Sequence, residues 1–220
     1  MYRDIYLKNT YEEIVKLIDA DTRVLDLGCG DGEMLFMLYE RKNVYGLGLD
    51  IDTTEVLKCI KRGVSVVQED INNGLKKYKD NSFDYVVMSE TLQAVKDPDK
   101  ILKKILKVGK KAIVAFPNFA HYKTRLSILF NGKMPKSNIL PFEWYDTPNI
   151  HHLTIRDFKD FCKNSGIKIL SEVYLGDNGK RIGNTFTNFF AEEAIFLLQK
   201  GEDEKKVQIK EISLPFPFKK

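Results

Sequence analysis

Cysteine is scarce in this sequence, which contains only Cys29, Cys59 and Cys162 among 220 residues. The three are odd in number, lie far apart and lack the short spacing of metal ligands. This excludes a disulfide-stapled scaffold and indicates no zinc or other metal site. We therefore expect free thiols in a reducing compartment.

Long apolar runs and a strong excess of one charge are also missing. No segment approaches the roughly 18 apolar residues that span a bilayer, and the first nine residues lack the apolar core of a signal peptide. The 35 basic and 31 acidic residues leave a net charge of +4, without the strong basic excess typical of a nucleic-acid-binding protein. This net charge neither requires nor excludes nucleic-acid binding. We expect a cytoplasmic protein without a membrane partner, and nucleic acid is not the partner that we expect.

Strand-like and helix-like segments alternate along the chain. Apolar runs rich in Val, Ile and Leu predict seven strands, at 23–27, 44–49, 64–68, 83–88, 112–116, 167–174 and 194–199. Helical patterns lie between them, at 33–41, 53–62, 98–108 and 155–164, and Thr10 with Glu13 has the spacing of a capping box that opens a first helix. This alternation predicts a doubly wound α/β fold, with a mostly parallel seven-stranded sheet, helices on both faces and an antiparallel last strand.

The alternation stops over residues 118–150, a segment rich in aromatic residues in which we predict no regular element. It resumes at Thr154, which is placed as a helix N-cap. The organisation we expect is a single domain over 1–200, with an insert at 118–150 and a charged C-terminal tail at 201–220.

A glycine-rich loop is the strongest local signal. Asp26 lies in the first strand, and the residues that follow it are Gly28, Cys29, Gly30 and Gly32. Glycines let the chain adopt positive φ and let a ligand approach bare backbone, while the following helix offers unpaired N–H groups. The third glycine of a dinucleotide fingerprint is replaced by Glu33, which disfavours NAD. A glycine turn that only packs a helix onto the sheet is the structural alternative.

Acidic residues end the next two strands. Asp50 is placed to accept hydrogen bonds from two ribose hydroxyls, and Asp70 to accept one from an adenine amino group. Ile51 and Ile71 could hold the adenine ring between them. An adenosyl compound with an ammonium group near Asp26 fits this pattern, and S-adenosylmethionine has all of these parts.

The glycine loop, Asp50, Asp70 and the 83–87 segment occur in the order seen in class I S-adenosylmethionine-dependent methyltransferases, which the chain resembles over about residues 10–200. Four later segments resemble the methionine biosynthesis protein MetW family more specifically. They are SETLQA (89–94), VGKKAIV (108–114), FPNF (116–119) and LPFEWYDTPNIH (140–151). The resemblance implies the Rossmann-like methyltransferase fold, with S-adenosylmethionine or S-adenosylhomocysteine as ligand and Ser89 among the residues that contact it.

Two functions remain open at this point. The MetW resemblance implies a role in methionine biosynthesis together with homoserine O-acetyltransferase (MetX), where the cofactor could also report the output of the pathway. A stand-alone methyltransferase acting on a small molecule is the alternative. No catalytic residue can be assigned, because the Pro-Pro motif of amino-methylating enzymes of nucleic acids is absent after the fourth strand and Ala94 stands where many small-molecule methyltransferases have histidine.

Several other residues have two interpretations each. Glu90 is either a site carboxylate or a helix cap, and His151 and His152 are either an acceptor-site base or hydrogen-bonded loop histidines. Trp144 and Tyr145 could cage a substrate, anchor a partner or form the core of the insert. The lysines around the end of the 98–108 helix could bind RNA, but such a run is more commonly a solvated face near a helix C-terminus. These lysines are Lys103, Lys104, Lys107, Lys110 and Lys111.

Overall fold

A computed structural model describes residues 2–137 and 140–201. The strands are β1 (Arg23–Leu27), β2 (Tyr45–Asp50), β3 (Val66–Gln68), β4 (Phe83–Ser89), β5 (Gly109–Pro117), β6 (Ile167–Leu175), β7 (Arg181–Ile182) and β8 (Glu193–Lys200). The helices are α1 (Tyr2–Leu17), α2 (Glu33–Lys42), α3 (Thr53–Arg62), α4 (Ile71–Gly74), α5 (Pro98–Val108), α6 (Tyr122–Asn131), α7 (Ile155–Asn164) and α8 (Thr187–Phe190).

The strands form one sheet in the order β3-β2-β1-β4-β5-β8-β6-β7. Neighbours from β3 to β5 pair in parallel, whereas β8 is antiparallel to both β5 and β6. The strand order reverses between β1 and β4. After β1 the chain adds β2 and β3 on one side, and it then returns to add β4 and β5 on the other side. Open α/β sheets bind ligands beside such a reversal, at the carboxyl ends of the strands.

Both faces of the sheet are covered, which is why its central strands are apolar on both sides. One face packs against α1, α2 and α3, where Ile14, Leu38 and Cys59 are buried. The other packs against α5 and α7, where Ile105 and Phe158 are buried. The predicted α/β fold with helices on both faces and an antiparallel last strand is confirmed.

Three details differ from the sequence prediction. Thr10 is not an N-cap: α1 begins at Tyr2, and the Thr10 hydroxyl lies 3.2 Å from the Tyr6 carbonyl oxygen and 2.6 Å from Glu193 Oε2. The sheet has an eighth strand, the two-residue β7, which pairs with the end of β6. The 118–150 segment contains a helix, α6, whose weak amphipathic pattern gave no signal because most of its apolar side chains are exposed.

The helix at 155–164 begins as predicted. Thr154 and Asp157 form a complete capping box, in which each side chain accepts a hydrogen bond from the backbone N–H of the other residue. Within the described residues, no helix is both long and apolar enough to span a membrane. The tail that we predicted at 201–220 lies outside the described residues after Gly201.

Candidate functional site

The glycine loop connects the end of β1 to the start of α2. Gly28, Gly30 and Gly32 all have positive φ, at 74°, 53° and 77°. The N–H groups of Gly28 and Cys29 both donate to the carbonyl oxygen of Leu49, which fixes the loop against the end of β2. A Cβ added to Gly30 would meet no atom within 4 Å, so this backbone faces open space where a ligand could lie.

Asp50 holds the glycine loop and its own strand end together. Its Oδ2 accepts a hydrogen bond from the Gly30 N–H at 2.8 Å, and its Oδ1 accepts one from the Asp52 N–H at 2.9 Å. A carboxylate has about four acceptor positions, so two remain for further donors. The structure therefore brings Asp50 to the loop with capacity for the two ribose hydroxyls that we predicted.

Asp26 lies beneath the same loop and is almost completely buried. Burial, and secondly the nearby charge of Asp50, raise the pKa of the Asp26 carboxyl to about 8. Among the residues that the structure describes, no ion pair involves Asp26. A bound cation would be a positively charged partner for the Asp26 carboxylate.

The residues that we predicted to contact adenine are Ile51, Asp70 and Ile71, and the structure does not connect them to the glycine loop as it does Asp50. Ile51 is 67% exposed beyond the end of β2, so its side chain is accessible. Asp70 is the N-cap of α4, and its Oδ1 accepts hydrogen bonds from the Asn72 backbone and side chain. Ile71 packs partly against the core below α4. Asp70 thus has a local structural role in addition to any contact with a ligand.

Two cysteines meet at the loop, since Cys29 belongs to it and Cys59 lies on α3. The Sγ atoms of Cys29 and Cys59 are 3.8 Å apart, and the Cys59 thiol donates to the Gly30 carbonyl oxygen at 3.0 Å. Burial raises the pKa of both thiols, so both are protonated at neutral pH. All three cysteines are free thiols.

Ser89 ends β4, and its buried Oγ has no hydrogen-bond partner in the described part of the chain. The next residue, Glu90, has a positive φ of 52°, which is uncommon for a residue with a side chain. Its N–H donates to the Ala115 carbonyl oxygen at 2.9 Å. Thr91 precedes the short helical turn, so Glu90 is not the cap of a helix. Strained backbone of this kind clusters at active sites and ligand-binding sites.

The two candidate histidines lie on the other side of the sheet. His152 stacks on Phe119 with ring centroids 4.5 Å apart, and His151 lies beside Leu92 and Leu102 in a hollow between α5 and α7. Asp26 belongs to the opposite face, which α1 covers. The structure therefore does not bring either histidine to the glycine loop.

Three aromatic residues of the insert are largely exposed. Trp144 and Tyr145 are 74% and 70% exposed, with their rings in edge contact, and Phe130 at the end of α6 is 76% exposed. The interpretation of Trp144 and Tyr145 as the core of the insert is therefore wrong. Two lysines of the basic run, Lys110 and Lys111, form ion pairs with Asp84 and Asp19.

Sequence reasoning missed Glu193, the first residue of β8. It is completely buried, and its Oε2 lies 2.6 Å from the Thr10 hydroxyl. Two glutamates before an apolar strand resemble a solvated strand end, so the local pattern gave no warning. Only the antiparallel insertion of β8 beside β5 places this carboxyl at the edge of the sheet where the parallel strands end.

Comparison with known proteins agrees with this geometry. The family model described as "Methionine biosynthesis protein MetW" matches residues 8–198. The chain belongs to the MetW family. The curated bifunctional methionine biosynthesis protein MetXA/MetW of Rhodopirellula baltica is 36% identical over 189 residues, which are 81% of this chain and 30% of that protein. Phosphoethanolamine N-methyltransferase 1 of Triticum aestivum is 31% identical over 115 residues, covering 48% of this chain and 23% of that protein.

The chain spans less than a third of the length of these curated relatives. Among solved structures, a SAM-dependent methyltransferase from Archaeoglobus fulgidus matches with a TM-score of 0.68 and 16% identity, covering 90% of this chain and 94% of that one. Magnesium protoporphyrin IX methyltransferase from Synechocystis, solved with bound SAH, matches with a TM-score of 0.64 and 13% identity, covering 88% and 83%. This MetW-family chain therefore has the fold of S-adenosylmethionine-dependent methyltransferases.

Proposed function

We propose that this MetW-family protein binds S-adenosylmethionine or S-adenosylhomocysteine at the carboxyl ends of β1, β2 and β3. Asp50 would accept hydrogen bonds from the ribose hydroxyls, and Asp26 would face the ammonium group. The open backbone at Gly30 supports a ligand in this cleft, as does the Ser89 hydroxyl, which has no hydrogen-bond partner among the described residues. When bound, S-adenosylmethionine supplies a methyl group activated by a positively charged sulfur.

We further propose that the protein acts with homoserine O-acetyltransferase in methionine biosynthesis. The observation that carries this proposal is the Rhodopirellula baltica relative, a single protein whose name joins MetXA to MetW and of which this chain matches 30%. Two functions joined in one chain are held at high effective concentration, which is the advantage that a separate chain would gain by binding. The exposed aromatic pair Trp144 and Tyr145 is suited to such an interface, because aromatic residues anchor protein contacts.

Affinity purification of the tagged protein from cells that co-express homoserine O-acetyltransferase tests this role. We expect the acetyltransferase to co-purify and its activity or solubility to change. Repeating the measurement with added S-adenosylmethionine shows whether the cofactor shifts the association, which requires that it bind one state of the complex better than the other. No complex and no change in the acetyltransferase would refute the partner role.

A stand-alone small-molecule methyltransferase is the second candidate. It is favoured by similarity over about half of the chain to phosphoethanolamine N-methyltransferases, at 27–31% identity. Calorimetric titration with S-adenosylhomocysteine, followed by a methyl-transfer assay on a cell extract, separates the two candidates. Binding without transfer to any acceptor favours the partner role.

A further inference from the structure

Three side chains of the kind that bind metal ions meet where α6 begins, β6 ends and β8 begins. They are His121 at the N-cap of α6, Asp177 two residues after β6 and Glu192 directly before β8. We refer to them as the His121 cluster. One possible ligand atom of each residue lies within 4.8 Å of those of the other two. Ligand atoms of one zinc ion lie about 3–4 Å apart, since each is about 2.0–2.2 Å from it, so small side-chain movements would close the set around an ion.

The sheet topology brings these three segments together. Because β8 runs antiparallel to both of its neighbours, its first residue, Glu193, pairs with Pro117 at the end of β5 and with Leu175 at the end of β6. The His121 cluster therefore lies at the same edge of the sheet as the glycine loop. Three strand spacings separate β1 from β8, which is roughly 14 Å, so the cluster and the proposed cofactor site are neighbours without sharing a residue.

Backbone hydrogen bonds fix the positions of His121 and Glu192. The Glu192 N–H donates to the Leu175 carbonyl oxygen at 2.8 Å, and the Glu192 carbonyl oxygen accepts from the Asn118 N–H at 2.7 Å. The Asn118 carbonyl oxygen in turn accepts from the His121 N–H at 3.2 Å. The segment before α6, the end of β6 and the start of β8 are thus held together by main-chain contacts that do not use the three metal-binding side chains.

The imidazole of His121 is buried without a hydrogen-bond partner for one of its nitrogens. The residue is only 3% exposed, and its Nε2 has no partner among the residues that the structure describes. Buried polar atoms are nearly always paired, because an unpaired one retains its cost of desolvation. A ring nitrogen of His121 is also among the atoms that lie close to the two carboxyl groups. A metal ion held between these groups would satisfy the imidazole.

The two carboxyl groups lie close to each other and share one cation. Lys123 Nζ forms an ion pair with Asp177 and lies 3.5 Å from Glu192 Oε1. The Glu192 side chain is only 8% exposed, so its charge is poorly solvated. One ammonium group compensates one carboxylate, whereas a divalent ion would compensate both. The Lys123 side chain is 48% exposed and can turn towards solvent when such an ion enters.

We propose that the His121 cluster binds a divalent transition-metal ion of the zinc type. A ring nitrogen of His121 and one carboxylate oxygen each from Asp177 and Glu192 are its protein ligands. One imidazole with two carboxylates suits zinc, whereas magnesium prefers oxygen ligands alone. Three protein ligands leave the fourth tetrahedral position open to water or to an oxygen or nitrogen atom of a small molecule.

The site was not visible in the sequence because its ligands come from three separate segments. Cysteine spacing predicted no metal site, and the His121 cluster contains no cysteine. His121 and Glu192 are 71 positions apart, so no short motif links them. The proposal is independent of the proposed function, because none of these residues contributes to the proposed cofactor site.

Calorimetric titration of the metal-free full chain with zinc chloride tests the proposal. We expect one zinc ion per chain and much weaker binding of magnesium. Asp177→Asn keeps the shape of a half-exposed side chain and should weaken zinc binding at least about 10-fold, since loss of a residue that only supports a ligand already costs about 10- to 100-fold. Asp160→Asn is the matched control, because Asp160 is an exposed carboxylate of α7 outside the cluster, and it should leave zinc affinity unchanged.

Lys123→Met separates a metal site from a structural ion pair. If Lys123 competes with the ion, this variant should bind zinc several-fold more tightly than the wild-type protein, and zinc should raise its melting temperature more. If Lys123 serves only to pair with the two carboxylates, the variant should lose stability and gain no zinc affinity, which would overturn the proposal.

Two further outcomes would also overturn the proposal. One is the absence of zinc binding by the wild-type protein, and the other is zinc binding that survives both Asp177→Asn and Glu192→Gln, which would place the ion elsewhere, for example at Cys29 and Cys59. Titration of the same variants with S-adenosylhomocysteine keeps the two proposals apart. Its affinity should not change in Asp177→Asn, and failure of S-adenosylhomocysteine to bind any of the proteins would refute the proposed function and leave the zinc result valid.

Discussion

The backbone N–H of Gly30 donates a hydrogen bond to Asp50 Oδ2 at 2.8 Å, which ties the glycine loop to the end of the neighbouring strand. Asp50 therefore shapes the loop and offers acceptors to a ligand at the same time. Hydrogen bonds to a charged group contribute roughly 1.5–3 kcal/mol each. Asp50→Ala should weaken S-adenosylhomocysteine binding by on the order of 10- to 1000-fold, measured by calorimetry.

Asp70→Ala is the matched control for this substitution. It should cost less affinity, because Asp70 would lose one hydrogen bond to a neutral amino group. It should also lower the free energy of unfolding by about 0.5–2 kcal/mol, since Asp70 caps α4. Equal and negligible losses of affinity at both positions would mean that the ligand is not an adenosyl compound.

Asp26→Asn should stabilise the ligand-free protein while weakening its ligand binding. The pKa of Asp26 is about 8, whereas an unfolded aspartate titrates near 3.9, so the native state retains a proton that the unfolded chain loses between these values. Wild-type stability therefore falls as pH rises through that window, by up to about 1.4 kcal/mol per pH unit from this group.

Asparagine does not titrate, so the stability advantage of Asp26→Asn should be near zero at pH 4 and greatest at pH 8. Urea unfolding at several pH values measures this difference. S-adenosylmethionine binding should be weakened at least ten-fold, because the ammonium group loses its ion-pair partner. An advantage that does not change with pH would show that Asp26 is ionised in the native protein.

Two glycines of the loop allow the stability cost of backbone strain to be measured separately from the cost of overpacking. Gly28 and Gly30 both have positive φ, but a Cβ on Gly28 would lie 2.5 Å from Thr91 Oγ1, whereas one on Gly30 would meet nothing within 4 Å. Gly30→Ala should cost about 1–2 kcal/mol of stability through strain alone. Gly28→Ala should cost a further 1–3 kcal/mol through overpacking.

Combining Gly28→Ala with Thr91→Ala should recover most of the stability that is lost through overpacking, since the Thr91 atoms nearest the new Cβ are then absent. Thermal unfolding of the four proteins in this double-mutant cycle measures the recovery. Additive effects of the two substitutions would contradict the contact between Gly28 and Thr91.

Trp144→Ser with Tyr145→Ser should reduce co-purification of homoserine O-acetyltransferase. Loss of two central aromatic anchors commonly costs 2 kcal/mol or more, or about 30-fold in affinity. The melting temperature should change little because both side chains are largely exposed. Tyr45→Ser is the control: Tyr45 is 69% exposed but starts β2, at the opposite end of the strands. Equal effects of the two changes would refute the insert as the interface.

Most of the fold could be predicted because its strands and helices follow local sequence patterns, and tertiary contacts do not override these patterns. Buried parallel strands require continuous Val, Ile and Leu, and these runs are visible in the sequence. Thr154 could be predicted as an N-cap because it stands directly before an apolar helical pattern, and the structure adds its capping-box partner Asp157. The similar spacing of Thr10 and Glu13 gave a wrong prediction. Both residues lie inside α1, where this spacing occurs without a helix start.

The proposed cofactor site consists of one continuous segment and two strand ends, so its position could be predicted from the sequence. The burial of Glu193 beneath α1 could not be predicted in this way. It depends on which strands become neighbours, since Glu193 and Tyr6 are 187 positions apart in the chain. No local pattern encodes that pairing. The position of His151 could not be predicted either: it follows the insert in the sequence, but it lies in the hollow between α5 and α7 and not near the glycine loop.

The position of β8 has a consequence for how the protein acquires its structure. This strand follows the other seven in the chain, yet it lies between β5 and β6 and is hydrogen-bonded to both. During synthesis, β1 to β5 can assemble as a parallel half-sheet, but β6 has no place beside it until β8 has emerged. Until then, β5 offers an unpaired apolar edge, the type of surface that promotes aggregation. Pairings over long sequence separations are slow to form, so the joining of the two halves is expected to limit the rate of folding.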